Sequence, residues 1–312
     1  MLEWLADAHG VLLRRDAVDN GIDDNALRRA VQSGRIVRLR QGAYVLGPVW
    51  QSSDRVGRHR LLVLAVRRQY GDDVALSHTS ACIEQGGPTW GLDLSAAHVT
   101  NLYGIGERRA AKVVHHRGVC RVDDVTRLDG GWITSPPRTA MDTACIASRD
   151  AGVAVLDDFQ HRGLATRDQL EQILASMRST PDTLNLLLKL RLSDGKAESV
   201  GETRSRLLFR DEGLPAPVPQ FEVRHPAGHV AGRVDFAWPE RRVMLEFDGY
   251  QKYLRLRRKD ESIEQTILRE KAREDHLREL TGWLMVRLIW ADLDFPTETA
   301  NRIWRAFAQA VA

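Results

Sequence analysis

The sequence contains few cysteines and no long apolar run. Its three cysteines, Cys82, Cys120 and Cys145, are widely spaced without a CxxC pair, which argues against a disulfide framework and a zinc finger. The longest apolar runs, such as residues 61–66, are far shorter than the ~20 residues that span a bilayer. The N-terminus carries acidic residues instead of the basic start of a signal peptide. We therefore expect a cytoplasmic protein that does not bind a membrane.

The sequence also lacks a phosphate-binding glycine motif, internal repeats and a strong net charge. No Walker A motif occurs, and Gly-Ile-Gly at residues 104–106 has no third glycine. With 43% hydrophobic and 28% charged residues among 312, the composition is that of a soluble globular protein of two or three domains. A net charge of +3 is too weak to indicate a partner by itself. The positions of the basic residues must therefore indicate any nucleic-acid partner.

Residues 233–249 predict two adjacent strands joined by a turn at Pro239 and Glu240. These strands carry Asp235, Glu246 and Asp248. Side chains alternate along a strand, so Glu246 and Asp248 share one side, and Asp235 lies beside Glu246 if the strands pair. Carboxylates this close repel each other unless a cation or a shared proton compensates. The block therefore predicts a Mg²⁺ site, with Mn²⁺ as the alternative metal, suited to phosphodiester hydrolysis.

The elements around this block predict the order αβββαβ, with helices near residues 196–210 and 260–280. This order and the Asp…Glu-Phe-Asp-Gly block resemble the PD-(D/E)xK nuclease superfamily, and within it the branch related to very-short-patch-repair endonucleases. The resemblance covers roughly residues 196–295 and implies a restriction-endonuclease-like core. It also implies that Asp235 and Glu246 are metal ligands and that Glu202 is a third acidic residue. A surface ion pair with Arg206 is the alternative for Glu202.

The nuclease pattern has a lysine where this chain has Asp248. That lysine polarises the phosphate or orients the attacking water, so its absence means that another cation acts there or that cleavage is lost. Lys252 and Lys271 are the two candidates, and the sequence does not choose between them. With Asp235, Glu246 and Asp248, they complete the predicted catalytic set. The run Arg-Leu-Arg-Arg-Lys at residues 255–259 is either a solvated loop or a phosphate-contacting face.

The N-terminal residues predict a winged helix-turn-helix. Two short helices are expected on either side of Gly10, and a third follows that begins at Asp23 or Asp24 and ends at Gly34. Leu27 and Val31 would face inward on this third helix. The alternation of charged and apolar residues over 35–45 predicts a β-hairpin wing.

Arg-Leu-Arg-Gln-Gly-Ala-Tyr at residues 38–44 resembles the Arg-Val-Arg-x-Gly-x-Tyr pattern of AbiEi-type antitoxins, the transcriptional autorepressors of type IV toxin-antitoxin systems. DNA is the partner that this resemblance implies. Arg28 and Arg29 would enter a major groove, whereas Arg35, Arg38 and Arg40 would contact phosphates. The alternative is a winged helix that docks another protein.

Residues 54–182 also resemble the AbiEi family, in its middle domain, through the segments 77–81, 97–100 and 134–142. Arg138 and Asp142, at i and i+4, are expected to pair along a helix. His78 lacks the Gly-x-Ser-x-Gly setting of a hydrolase nucleophile, so a catalytic triad is not expected. His115, His116 and Cys120 are close in sequence and are expected to form a cluster without zinc. No function is predicted for this domain.

We therefore expect an α+β and α/β multidomain protein. It would have a winged helix-turn-helix at 1–53, a mixed α/β middle domain at 54–192 and an αβββαβ nuclease-like core at 193–312. The first hypothesis is a DNA-binding, metal-dependent endonuclease. The second is an antitoxin-type autorepressor whose nuclease-like domain is inactive. A third is an antitoxin that acts on a cognate toxin, and a homodimer is the default for repressors that bind palindromes.

Overall fold

The structure is a computed structural model that describes residues 2–103, 108–116, 120–177, 183–249 and 262–311. The chain divides into two compact units, Met1–Arg191 and Leu192–Ala312. Both units combine helices with β-sheet, which confirms the expectation of a multidomain protein of mixed helices and sheets. None of the helices within the described residues is long and apolar enough to cross a membrane.

The first unit begins with a three-stranded sheet in the order β1-β3-β2, in which β3 pairs antiparallel with both neighbours. The elements are β1 (Val11–Leu13), α1 (Arg14–Asp19), α2 (Asp24–Gln32), β2 (Ile36–Arg40) and β3 (Ala43–Leu46). Helix α2 begins where the carboxylate of Asp23 accepts a hydrogen bond from the backbone N–H of Ala26 at 2.7 Å. It ends before Gly34, which has φ +71°.

The expected pair of helices around Gly10 is wrong for residues 11–13. Val11, Leu12 and Leu13 form β1, and all three side chains are buried. As a strand between two layers, this continuous apolar run buries side chains on both of its faces. As a helix, it would expose some of these apolar side chains to solvent. Before Gly10 the chain forms a 3₁₀ turn, Glu3–Leu5, and then a turn closed by the hydrogen bond from the N–H of Gly10 to the carbonyl of Asp7.

The small sheet is packed on both faces. On one face Leu12, Ile36 and Tyr44 join Leu27 and Ala30 of α2 in one apolar cluster. The other face packs on the second of two helices that follow the sheet, α3 (Gly47–Ser52) and α4 (Arg55–Tyr70). The residues on this second face are Val11, Leu13, Leu39, Ala43 and Val45. The orientation of α2 and of the β2–β3 hairpin is therefore fixed by burial on both sides.

A mixed six-stranded sheet follows within the described part of the first unit, in the order β6-β7-β5-β4-β9-β8. Strand pairs β4–β9 and β5–β7 are parallel, and the other pairs are antiparallel. The strands are β4 (Val74–Leu76), β5 (Ala97–Asn101), β6 (Arg108–Ala110), β7 (Val113–His116), β8 (Val125–Leu128) and β9 (Gly131–Thr134). The helices are α5 (His78–Glu84), α6 (Pro136–Ile146), α7 (Arg149–His161), α8 (Arg167–Ser176) and α9 (Thr183–Leu192).

The second unit contains a four-stranded sheet in the order β10-β11-β12-β13, in which only β12 and β13 are parallel. Its elements follow the order α, β, β, β, α, β with one further helix. They are α10 (Val200–Asp211), β10 (Val218–Arg224), β11 (Val230–Trp238), β12 (Val243–Phe247), α11 (Ile263–Thr281), β13 (Leu284–Leu288) and α12 (Pro296–Val311). The expected turn at Pro239 is a 3₁₀ turn that ends at Arg242, which has φ +52°.

This sheet lies between two helical layers. Phe236 and Leu245 pack with Phe209 of α10 and Ile303 of α12. On the opposite face, Met244 and Ala237 share a smaller cluster with Leu277 of α11. Because side chains alternate along β12, Glu246 shares the α11 face with Met244, whereas Phe247 points to the α10 face.

The start of α10 lies directly against the ring of Phe247 at Gly201, where an added Cβ would overlap the ring. We expect Gly201→Ala to lower the free energy of unfolding by about 1–3 kcal/mol, because the helix or the ring must shift in a filled core. Urea denaturation of the full chain measures this change. Gly249→Ala is the matched control, since its Cβ would meet the nearest atom at 3.5 Å. Equal stability of the two variants would contradict the packing.

Candidate functional site

Helix α2 presents two arginines to solvent. Its buried residues are Leu27 and Ala30, and Arg28 and Arg29 are exposed. The guanidinium of Arg28 donates to the side-chain oxygen of Asn25 one turn earlier at 2.9 Å. The helix therefore carries its cationic side chains away from the sheet on which it packs.

The strand after α2 adds two more exposed arginines. Arg35 lies just before β2 and donates through Nε to the hydroxyl of Ser33 at 3.3 Å. Arg38 lies opposite Tyr44 in the register of β2 with β3. Both side chains are exposed. Together with Arg28 and Arg29 they form the set that we call the basic face, which contains four of the five predicted DNA-contacting residues.

Arg40 does not belong to the basic face. The register of β2 with β3 shifts between Arg38 and Arg40, and this irregularity reverses the alternation that would put both on one side. The guanidinium of Arg40 instead contacts the side chains of Gln69 and Tyr70 at the end of α4. The expectation that Arg40 contacts phosphates is corrected, because its donors are already used within the protein.

Arg68 connects the N-terminal sheet to α4, a role that no sequence motif indicates. It donates to the carboxylates of Asp7 and Asp16 at 2.9 and 2.7 Å, and to the backbone carbonyl of Val11 at 2.7 Å. Since Asp7 and Asp16 are far from Arg68 in sequence, no local spacing could reveal the cluster. It connects β1 and α1 to α4 through charge-assisted hydrogen bonds.

In the second unit, Glu202 is a buried carboxylate on α10. It accepts hydrogen bonds from the hydroxyl of Ser199 at 2.8 Å, the backbone N–H of Glu198 at 2.9 Å and the amide of Gln220 at 2.7 Å. Burial and the negative charge of Asp235 raise its pKa from 4.5 to about 7. Glu202 is thus close enough to Asp235 for repulsion, and it is not an exposed ion-pair residue.

Asp235 interrupts the apolar residues of β11 at the point where its pairing with β12 ends. Its Oδ2 accepts the backbone N–H of Phe247 at 2.7 Å, so the side chain takes the place of a backbone acceptor. The pairing of the two strands stops at Phe236 opposite Leu245, one residue before Asp235 and Glu246. Asp235 therefore lies at the edge of the paired region, next to the strand that carries Glu246.

Glu246 is buried and forms an ion pair with Arg273 of α11. Arg273 also donates to Glu270 at 3.1 Å and to the backbone carbonyl of Arg233 at 3.1 Å. Asp248 lies 3.9 Å from Arg287, which also pairs with Glu274. The two acidic residues of the Glu-Phe-Asp-Gly block thus face arginines from the α11 side of the sheet.

Arg273 is a functional candidate that the sequence analysis missed. The nuclease pattern has a lysine at the corresponding place, so it points to lysines and not to an arginine. The available signal was spacing: Arg273 precedes the buried Leu277 by four residues, so both lie on the side of α11 that faces the sheet. Lys271 is exposed, and residues two apart do not share a helix face. Lys252 lies outside the described residues.

The described residues contain no group of three or more His, Cys, Asp and Glu side chains that could hold a metal ion. Of the three predicted ligands, Glu202 and Asp235 interact, and Glu246 is bound by Arg273. Burial and the repulsion of Asp235 together raise the pKa of Glu202, and two neighbouring carboxylates are ligands of the kind that Mg²⁺ sites use.

The middle segments singled out in the sequence converge on a histidine cluster. The rings of His78 and His116 are stacked with centroids 3.5 Å apart, and Nδ1 of His98 lies 2.8 Å from Nε2 of His116. Burial and the positive charge on His116, His98 and Arg138 keep the pKa of His78 well below its usual value. His78 is therefore held as a neutral imidazole packed against the ring of His116.

Arg138 and Asp142 form the expected i, i+4 pair, with Nε of the arginine 2.8 Å from Oδ1. The pair is buried and is joined by Asp124 at 3.1 Å, so it belongs to the interior and not to an exposed helix face. Burial outweighs the attraction of Arg138 and raises the pKa of Asp142 to about 6. His115 contacts Asn101 and Tyr70.

The raised pKa of Glu202 predicts a pH-dependent stability. The folded protein binds a proton at Glu202 more tightly than the unfolded chain, so stability should fall as pH rises from 4.5 to about 7. Glu202→Gln removes this titration, and the stability difference between the two proteins should change by on the order of 2 kcal/mol across that range. Urea midpoints measured at several pH values test this. Glu222→Gln, at an exposed position of β10, is the control. Parallel pH profiles for wild type and Glu202→Gln would contradict the burial of Glu202 beside Asp235.

Residues 1–47 match the model of a family described as "Transcriptional regulator, AbiEi antitoxin". Two curated relatives, uncharacterized proteins of Mycobacterium tuberculosis strains CDC 1551 / Oshkosh and ATCC 25618 / H37Rv, are each 29% identical over 285 residues. The alignments cover 90% of this chain and 95% of each relative. The similarity to these relatives therefore extends over both units, whereas the family match is confined to the first 47 residues. The N-terminal segment, residues 1–47, is therefore similar to the antitoxin-type transcriptional regulators.

Proposed function

We propose that the protein is a DNA-binding transcriptional regulator of antitoxin type that contacts DNA through its basic face. The observation that carries this proposal is the exposure of four arginines on α2 and the adjoining hairpin, within the segment that matches the regulator family. In this proposal α2 is the recognition helix and the β2–β3 hairpin is the wing of a winged helix-turn-helix. Such a face supplies both charge neutralisation and base contacts.

The four arginines divide into two roles. Arg28 and Arg29 lie on α2, and an α-helix fits the major groove, where arginine can bind guanine through two hydrogen bonds. Arg35 and Arg38 flank the helix on the hairpin side and would contact phosphates, which position the protein without reading sequence. A two-fold dimer on a palindromic operator and a cognate toxin as second partner belong to the same proposal.

Arg38 belongs to the basic face and Arg40 does not, so substitutions at these two positions test the proposal. Arg38→Gln should weaken DNA binding and reduce the slope of log affinity against log salt by about 1, because one phosphate contact is lost. Arg40→Gln should leave the affinity and the salt slope unchanged, since its donors are bound to Gln69 and Tyr70. It should instead lower the free energy of unfolding by about 1 kcal/mol.

Fluorescence anisotropy with DNA from upstream of the protein's own coding sequence measures both affinities, with an unrelated duplex as reference. The two variants remove the same charge from neighbouring positions, so they control for each other. Equal losses of affinity would contradict the assignment of the basic face. Wild-type protein that binds neither duplex would refute DNA binding.

A second candidate function is metal-dependent phosphodiester hydrolysis by the second unit. The observation that favours it is the repelling pair Glu202–Asp235 between α10 and β11, in a unit whose described elements follow the order α, β, β, β, α, β. Asp235 and Glu202 would hold Mg²⁺ or Mn²⁺, and the metal would supply charge neutralisation at the phosphate and activation of water. Glu246 would be positioned by Arg273, and Arg273 rather than Lys271 is the cation nearest this carboxylate.

Cleavage of supercoiled and linear DNA by the full chain, with Mg²⁺ and with Mn²⁺, tests this candidate. Asp235→Asn should abolish cleavage, because it removes one of the two carboxylates that would hold the metal. Glu222→Gln changes an exposed carboxylate of the same sheet and should cleave like the wild type. A wild-type protein that binds DNA but cuts neither substrate with either metal would eliminate the nuclease and leave the regulator.

A further inference from the structure

A cavity of about 600 Å³ opens in the first unit beside the β2–β3 hairpin. It lies among Leu39 of β2, Trp50 of α3, the first turns of α4, residues 93–95 and Lys112. Its volume falls within the range of about 300–1,000 Å³ that is typical of small-molecule sites. Neither the DNA-binding proposal nor the carboxylates of the second unit use this cavity.

The floor of the cavity is apolar and uncharged. Leu39, Leu62 and Leu94 are buried there, and His59 is 1% exposed. Both ring nitrogens of His59 are engaged, one with the backbone carbonyl of Leu94 and the other with the hydroxyl of Ser80, each at 3.0 Å. Burial lowers the pKa of His59, so the floor carries no charge at neutral pH. Such a surface accommodates an apolar body.

One wall of the cavity carries Arg58, whose guanidinium is oriented by two contacts with Trp50. The guanidinium of Arg58 lies 4.6 Å from the centre of the Trp50 ring, and its Nε donates to the backbone carbonyl of Trp50 at 3.3 Å. This bond uses only Nε, and within the described residues the Nη atoms of Arg58 have no hydrogen-bond partner. A planar guanidinium with open donors is suited to carboxylate, phosphate or sulfonate groups.

At the rim of the cavity, both carboxylates accept hydrogen bonds from backbone N–H groups, whereas some cationic side chains keep donors open to a ligand. Asp54 accepts the backbone N–H of Gly57 at 2.7 Å and caps α4. Asp93 accepts the backbone N–H of Ser95 at 2.9 Å. Arg55 donates to the backbone carbonyl of Leu92 at 2.7 Å. Lys112 is an exposed residue of the same lining, so Arg58 and Lys112 are cations that have donors open to a ligand.

We propose that this cavity binds a small organic anion with a planar apolar body. The anionic group lies between Arg58 and Lys112, and the apolar body covers the leucine floor beside Trp50. Since Leu39 is the residue between Arg38 and Arg40 in the hairpin, a bound molecule contacts the element that presents part of the basic face. The proposal does not depend on DNA binding, because its test contains no DNA.

Two fluorescent probes that share one aromatic body test the site. Anilinonaphthalene sulfonate carries a sulfonate, and phenylnaphthylamine is the same molecule without it. Full-length wild-type protein should bind the sulfonate at one saturable site, about 10-fold more tightly than the neutral probe, because two cationic side chains contact the sulfonate and none contacts the neutral probe. Arg58→Gln and Lys112→Gln should each reduce this preference by about 3-fold or more.

Arg60→Gln is the matched control. Arg60 lies on α4 two residues from Arg58, is exposed, and does not line the cavity. This variant loses the same charge and should keep the wild-type preference for the sulfonate. Absence of saturable binding by the wild type, equal affinity for the two probes, or an equal effect of Arg60→Gln and Arg58→Gln would each overturn the proposal. Circular dichroism of all variants ensures that the compared proteins are folded.

Discussion

Burial of the N-terminal sheet on both faces constrains the functional surface of the first unit. One face of β1-β3-β2 packs on α2 and the other on α4, so neither helix can rotate without exposing apolar side chains. Arg28 and Arg29 are held outward because Leu27 and Ala30 on the same helix are buried. Arg68 reinforces this arrangement from α4 through Asp7 and Asp16. A rigid scaffold of this kind can present arginines to DNA at a fixed spacing.

The second unit shows two ways in which a protein can tolerate buried carboxylates. Glu246 is neutralised by Arg273, a cation supplied by the helix that packs on the same face of the sheet. Glu202 is stabilised by three hydrogen-bond donors, and burial beside Asp235 raises its pKa, which keeps it partly protonated near neutral pH. A proton at Glu202 relieves its repulsion with Asp235, and in the proposed nuclease function a divalent cation would compete with that proton.

Several features followed from the sequence. Asp23 at the start of α2, Gly34 at its end and the alternation in residues 35–45 predicted the helix and hairpin on which the basic face lies. The apolar runs around Asp235 and Glu246 predicted β11, β12 and their turn. In these segments, capping residues and side-chain periodicity determine the local conformation, and tertiary packing agrees with it.

The sequence by itself thus determined which segments are helices and strands around both candidate sites, because caps, glycines and apolar periods act over a few residues. Only the tertiary structure decided that Val11–Leu13 is a strand, that Arg40 leaves the basic face, and that Arg273 reaches Glu246. Each of these depends on a contact between residues distant in the chain or on an irregularity in strand pairing. Such contacts have no local signature, since they are set by which faces the assembled layers bury.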